Sequence, residues 1–116
     1  MDESDFWVHL EYRVCREIDA LTQSGLRRFW CDGFIPVRYE FDEPSPRIVG
    51  RVWMGVGPRE QQQWEFVLLL GIPVESRENI VWSALLPTPN VTRWLSIDPI
   101  GKRLVVEPDA AVNDEP

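Results

Sequence analysis

The N-terminal segment is the feature that most constrains the fold, because it predicts an amphipathic helix with one narrow apolar stripe. Ser4 or Asp5 is placed to cap the helix, which is predicted to run to about Ser24, before Gly25. A helix of this length measures roughly 30 Å and spans about five or six strands at ~4.8 Å spacing. At 100° per residue, the apolar side chains fall within about 80° of one another. The stripe therefore needs a sheet to cover it, and it consists of Trp7, Leu10, Val14, Ile18 and Leu21.

The sequence after Gly25 has the pattern of a sheet. Short apolar runs of period two alternate with turn residues every eight to twelve positions. Asp32-Gly33 predicts a tight turn, the prolines within Asp42–Pro46 cannot continue a strand ladder, and Asp98–Gly101 matches a type I turn. Six strands are predicted, near Leu26–Cys31, Phe34–Phe41, Ile48–Val56, Trp64–Leu70, Val91–Asp98 and Arg103–Glu107.

These elements predict an α+β fold in which the N-terminal α-helix packs across one face of a largely antiparallel five- or six-stranded sheet. Residues 78–86 fit either a strand or a helical face, and we favour a short helical turn stopped by Pro87. Residues 1–108 are expected to form one domain, because no linker is long enough to divide the chain. Residues 109–116 are expected to form a disordered acidic tail.

The glycines at positions 50, 55 and 57 raise the possibility of a phosphate-binding loop. Such loops lead from a strand into a helix, and a P-loop also needs Gly-Lys followed by Ser or Thr. Here Gly55-Val56-Gly57-Pro58 is followed by residues 59–63 and then by another strand-like run at 64–68. The glycines therefore predict a hairpin, and Gly50 predicts a bulge or a close approach of the helix.

The charge of the chain argues against a nucleic-acid partner. The net charge is -7, but seven of the nineteen acids lie near the two ends, and the other twelve balance the twelve basic residues. The folded body is thus close to neutral and lacks a basic footprint. No charged leader precedes an apolar run, and no stretch is long and apolar enough to span a membrane. We expect a soluble cytoplasmic protein with no membrane contact.

Catalytic and metal-binding residues are sparse. His9 is the single histidine, and its helical position predicts a solvated side chain about 140° from the stripe centre. Cys15 and Cys31 are expected to be free thiols, and with His9 they match no zinc pattern. We assign no catalytic carboxylate, no metal and no cofactor. One alternative remains, a hydrolase or transferase that uses His9 with Cys31 or a carboxylate.

Tryptophan is unusually abundant, with six in 116 residues. Strand alternation places Trp53 and Trp94 on the sheet face away from the helix, together with arginines. Exposed aromatic and arginine side chains are typical of interface centres, although the same residues can simply stabilise a sheet by cross-strand packing. The candidate binding residues are Arg38, Arg51, Trp53, Trp94 and Arg103, while Trp7, Trp30, Trp64 and Trp82 are assigned to the core or its edge.

The function predicted from these patterns is a non-enzymatic protein-interaction module that uses its arginine and tryptophan face. The partner is another protein or a second copy of the chain. A second alternative to this function is a small-molecule-binding domain with a pocket between helix and sheet.

Overall fold

The computed structural model describes residues 1–23, 29–56, 60–87 and 94–107. In chain order the elements are α1 (Glu3–Gln23), β1 (Phe29–Glu40), β2 (Arg47–Val56), β3 (Glu60–Leu69), 3-10 helices at Arg77–Asn79 and Trp82–Leu85, β4 (Leu95–Asp98) and β5 (Arg103–Val106).

The architecture is one N-terminal helix packed against an open sheet with the strand order β1-β2-β3-β5-β4. β1 with β2, β2 with β3 and β4 with β5 pair antiparallel, whereas β3 and β5 pair parallel. The predicted α+β fold with a largely antiparallel sheet is confirmed. The described residues form five strands, within the predicted five or six.

Helix α1 begins two or three residues earlier than the predicted caps suggest. A side-chain oxygen of Asp2 accepts the backbone N–H of Asp5 at 2.8 Å, so Asp2 is the N-cap and the prediction of Ser4 or Asp5 was wrong. The apolar stripe also includes Phe6, which was not predicted. Phe6 and Leu10 are both fully buried, whereas Trp7 is only partly buried. The predicted end of the helix, at Ser24 and Gly25, lies outside the described residues.

Strand β1 replaces two predicted strands, because Asp32-Gly33 does not reverse the chain. Asp32 pairs with Trp53, and Ile35 continues the ladder with Arg51 after a register shift. Gly33 lies between them with a φ of 65°, a left-handed conformation that a bulge accommodates readily. The predicted tight turn is therefore a bulge within one long edge strand.

Gly50 is a point of close approach, as predicted, but the approaching groups come from the sheet and not from the helix. Gly50 pairs with Pro36, which lies between the two register shifts of β1. A Cβ atom at position 50 would overlap the carbonyl oxygen of Ile35 and the ring of Phe66.

The predicted β2–β3 hairpin is confirmed by the pairing of Val56 with Glu60, and its loop residues 57–59 lie outside the described part.

The elements of the C-terminal half are of the predicted types, but its strands are shorter than predicted. Residues 78–86 contain 3-10 turns, which confirms the helical interpretation over the strand. The turn between β4 and β5 is stabilised by Asp98, whose Oδ1 accepts the backbone N–H groups of Ile100 and Gly101 at 3.1 and 3.0 Å. The predicted tail at 109–116 lies outside the described residues, as do 91–93.

The core fills the space between α1 and the sheet. Phe6, Leu10, Val14 and Ile18 are at most 1% exposed and belong to one cluster with the inward side chains of β2, β3 and β5. Aromatic rings make up its end near the helix start, with centroid separations of 4.9 to 6.3 Å, and these rings are Phe6, Trp7, Phe34, Phe66 and Trp82. Within the described residues, no helix is both long and apolar enough for a membrane span.

Candidate functional site

The side of the sheet opposite α1, here called the open face, carries four of the five predicted binding residues, Arg38, Arg51, Trp53 and Arg103. The register follows the strand alternation: Val52 faces the core while Arg51 and Trp53 are exposed on the other side. In β5, Leu104 and Val106 belong to the core and Arg103 is exposed. The open face therefore includes Ile35, Val37, Arg38, Val49, Arg51, Trp53, Gln63, Glu65 and Arg103.

Trp94 does not belong to the open face, and its predicted place there was wrong. Its side chain is only 6% exposed and joins the hydrophobic core. Strand β4 begins one residue later, at Leu95, and the Trp94 carbonyl accepts the backbone N–H of Glu107 at 2.7 Å. Because Trp94 precedes the ladder, strand alternation did not determine its direction.

Trp7, Trp64 and Trp82 lie in or against the core as predicted, and the side chain of Trp30 is outside the described part.

Two arginines of the open face are paired with acids of the same face. Arg38 donates to Glu40 at 2.7 Å, and Arg103 donates across the sheet to Glu65 at 3.0 Å. The hydrogen bond and charge of Glu40 raise the pKa of Arg38, which stays charged in any case. These pairs are exposed, so each contributes little to stability, and their charges are largely balanced.

Arg51 differs from both, although it lies between them. It pairs in register with Ile35 on β1 and with Glu65 on β3, but Glu65 is bonded to Arg103 instead. Among the described residues, no hydrogen bond or ion pair of the Arg51 side chain is formed. Its guanidinium, with five N–H donors, is therefore open to a ligand.

Apolar side chains surround this free guanidinium. Ile35 is 49% exposed, Val37 is 52% exposed and Trp53 is 37% exposed, and all three lie on β1 or β2 near Arg51. Val49 lies on the same face and is buried. An open depression of about 270 Å³ runs through this area, and its lining includes Val37, Arg38, Val49, Arg51, Gln63 and Glu65.

Sequence analysis missed Ile35 and Val37. Both lie in β1 beside Pro36, where the two register shifts disturb simple alternation. Pro36 was a usable signal, because proline within a strand indicates an edge or a bulge. Strand alternation cannot assign the face of residues beyond a bulge, because the extra residue changes the side to which they point.

The groups proposed for catalysis are not brought together. His9 is exposed on α1, and within the described residues its side chain forms no hydrogen bond or ion pair. Cys31 is buried in the core. No cluster of three or more His, Cys, Asp or Glu side chains in the described part is arranged to hold a metal ion. Within the described residues, the space between helix and sheet holds the side chains of the hydrophobic core, and a depression lies on the open face. The small-molecule pocket between helix and sheet stays a prediction.

A polar cluster around Glu3 has a structural role. One Glu3 oxygen accepts the hydroxyl of Tyr39 at 2.6 Å and the indole N–H of Trp7 at 3.1 Å, and the other accepts the guanidinium of Arg77. Partial burial raises the pKa of Glu3, but the bonds from Tyr39, Trp7 and Arg77 outweigh it, so that the pKa is lowered. The carboxylate ties the start of α1 to β1 and to the first 3-10 helix, and its acceptor sites are occupied.

The chain matches no family model, and comparisons with curated proteins and with solved structures also found no match.

Proposed function

We propose that this protein is a non-enzymatic interaction module whose open face binds a segment of another protein. The observation that carries the proposal is the Arg51 guanidinium, which has no partner in the described part of the chain and lies among exposed Ile35, Val37 and Trp53, while its two neighbouring arginines are paired. Arginine and tryptophan beside aliphatic side chains are the composition that interface centres favour.

The chemistry of the face defines the partner segment. A carboxylate from Asp or Glu would form a charge-assisted, bidentate pair with Arg51. An aromatic or aliphatic side chain next to it would cover Trp53 and the exposed aliphatic groups of β1. We therefore infer a partner segment that presents an acidic residue adjacent to a large apolar one.

The charge of the open face favours this occupant over nucleic acid. Glu40 and Glu65 offset Arg38 and Arg103, so the face lacks the excess positive charge that nucleic acid requires. Because the chain as a whole carries a charge of -7, attraction of an acidic segment depends on the local contact with Arg51 rather than on long-range steering.

Selection from a library of random sequences tests the proposal directly. Displayed twelve-residue peptides are selected on the wild-type chain and counter-selected on Arg51→Ala. We expect enriched peptides to carry Asp or Glu beside an aromatic or aliphatic residue. A synthetic peptide of the enriched sequence should lose at least about tenfold in affinity with Arg51→Ala and with Trp53→Ala, as for central interface residues.

The matched control is Arg16→Ala, which removes an exposed arginine from α1 and leaves the open face intact. Its affinity for the same peptide should equal that of the wild type. Enrichment of no peptide, or of peptides that bind Arg51→Ala unchanged, would refute the proposal. Sedimentation analysis completes the test, because a dimer that dissociates in Trp53→Ala would identify a second copy, and not another protein, as the occupant.

A further inference from the structure

Two cysteines that are distant in sequence meet between helix and sheet. Cys15 lies in the middle of α1 and Cys31 in β1, and both are free thiols, as predicted. Their Sγ atoms are 3.0 Å apart, close enough for one thiol to hydrogen-bond the other. Cys15 is half-buried and reachable from solvent, whereas Cys31 is buried.

The surroundings give the two sulfurs different roles. As a thiol, Cys15 donates to the backbone carbonyl of Cys31 at 3.4 Å; as a thiolate it accepts the S–H of Cys31. The bond from Cys31 lowers the pKa of Cys15 against the opposing effects of burial and of the nearby carboxylates Glu11 and Asp19. The same bond and the deeper burial raise the pKa of Cys31. Cys15 is therefore the more nucleophilic sulfur and Cys31 holds a proton beside it.

We propose that Cys15 and Cys31 form a peroxide-responsive dithiol, which closes to a reversible disulfide between α1 and β1. The Cys15 thiolate attacks hydrogen peroxide, the O–O bond breaks, and Cys15 becomes a sulfenic acid while hydroxide leaves. The Cys31 sulfur then attacks the sulfenic sulfur, and the departing hydroxide takes the Cys31 proton and leaves as water. In total, two thiols and one peroxide give one disulfide and two waters.

Little movement is needed for the second step. The sulfurs must approach by about 1 Å to reach a disulfide bond length, which side-chain rotation can supply. The resolving thiol is already beside the oxidised sulfur, so closure should precede further oxidation to a sulfinic acid. The new bond would link residues sixteen positions apart and would restrict the unfolded chain.

Intact-mass measurement of the full chain tests the proposal directly. The reduced wild type is treated with a small molar excess of hydrogen peroxide at neutral pH, and its mass should fall by about 2 Da, with both thiols lost to alkylation. Proteolysis without reduction should yield a peptide that joins residues 15 and 31, and dithiothreitol should restore both thiols. The melting temperature of the oxidised chain should rise by roughly 5–15 °C.

Single variants separate the two roles. In Cys31→Ala, Cys15 should stop at a sulfenic acid that dimedone traps, and in Cys15→Ala the buried Cys31 should react far more slowly than Cys15 does in the wild type. A wild-type chain that keeps two alkylatable thiols, or that gains oxygen at Cys15 while Cys31 stays free, would overturn the proposal. That wild-type measurement is decisive even if an alanine variant fails to fold.

Discussion

The two faces of the sheet are built from the same strands but have opposite character. On the side covered by α1, Phe6, Leu10 and Ile18 meet the inward side chains in a core that contains no buried polar or charged residue among those described. On the open face, charged side chains lie beside apolar ones, of which Ile35, Val37 and Trp53 are exposed. Because neighbouring residues of a strand point to opposite sides, a single segment such as β2 contributes to the core with one set of side chains and, in the proposed function, to recognition with the other.

Polar groups also differ between the two sides. Glu3, at the edge of the covered side, accepts bonds from Trp7, Tyr39 and Arg77, and so fixes three elements. Glu65, on the open face, has one exposed ion pair with Arg103. Interactions at the covered side therefore hold the fold, while those of the open face can change with little effect on it.

The largest expected effect comes from truncation on the covered side. Phe6→Ala removes a fully buried ring that contacts Trp7 and Trp82, and it should lower the free energy of unfolding by about 3–5 kcal/mol. Urea denaturation followed by circular dichroism measures this change. Trp53→Ala is the matched truncation on the open face and should cost less, about 2 kcal/mol, because Trp53 is already 37% exposed. Equal losses for the two variants would contradict the division between the faces.

A smaller loss is expected from adding a single methyl group inside the sheet. Gly50→Ala places a Cβ atom against the Ile35 carbonyl and the Phe66 ring, and we expect it to destabilise the fold by about 2–3 kcal/mol in urea denaturation. The double variant Gly50→Ala with Phe66→Leu should recover none of this loss, because the backbone contact remains and a ring is lost. Recovery would show that only the ring limits position 50.

The smallest effect concerns the polar groups and depends on pH. Glu3→Gln should lower the free energy of unfolding by about 1–2 kcal/mol at pH 7, because a charged acceptor of three groups is lost. The pKa of Glu3 is lowered in the folded chain, so its contribution is complete above the unfolded pKa of about 4.3 and disappears as the pH falls through the folded value. The difference between wild type and variant should therefore narrow below about pH 4.

Glu65→Gln provides the control for that pH series. Its carboxylate belongs to an exposed pair on the open face, and it should change the free energy of unfolding by at most about 0.5 kcal/mol at pH 7. A Glu3→Gln difference that stays constant from pH 7 to pH 3 would assign its effect to packing rather than to charge.

Local patterns predicted much of this architecture. The period of the N-terminal stripe indicated α1, and the alternation in residues 48–56 correctly divided Val52 from Arg51 and Trp53. These predictions succeeded because each depends on the periodicity of a single regular element. Three of the five proposed binding residues, Arg51, Trp53 and Arg103, were placed on their face by this rule, and Arg38 is exposed beside them.

The errors arose where alternation is interrupted. At Asp32-Gly33 a turn was predicted, but the chain forms a bulge and β1 continues. This happens because residues of β1 before and after the bulge both pair with β2. Trp94 precedes β4 and turns into the core, where a large apolar side chain gains more from burial than from exposure. Ile35 and Val37 were overlooked for the same reason, since register shifts flank them.

The sequence by itself determined the helix, the strand-forming segments, the polarity of most of their faces and the near neutrality of the folded body, since these follow from local periodicity and from residue type. Only the tertiary structure decided which partners meet across long separations. It paired Glu65 with Arg103, so that Arg51 has no ion pair among the described residues, and it brought the sulfurs of Cys15 and Cys31 to 3.0 Å. Such contacts depend on strand order, register and the docking of α1, which are global properties of the packed chain and leave no periodic signal in the sequence.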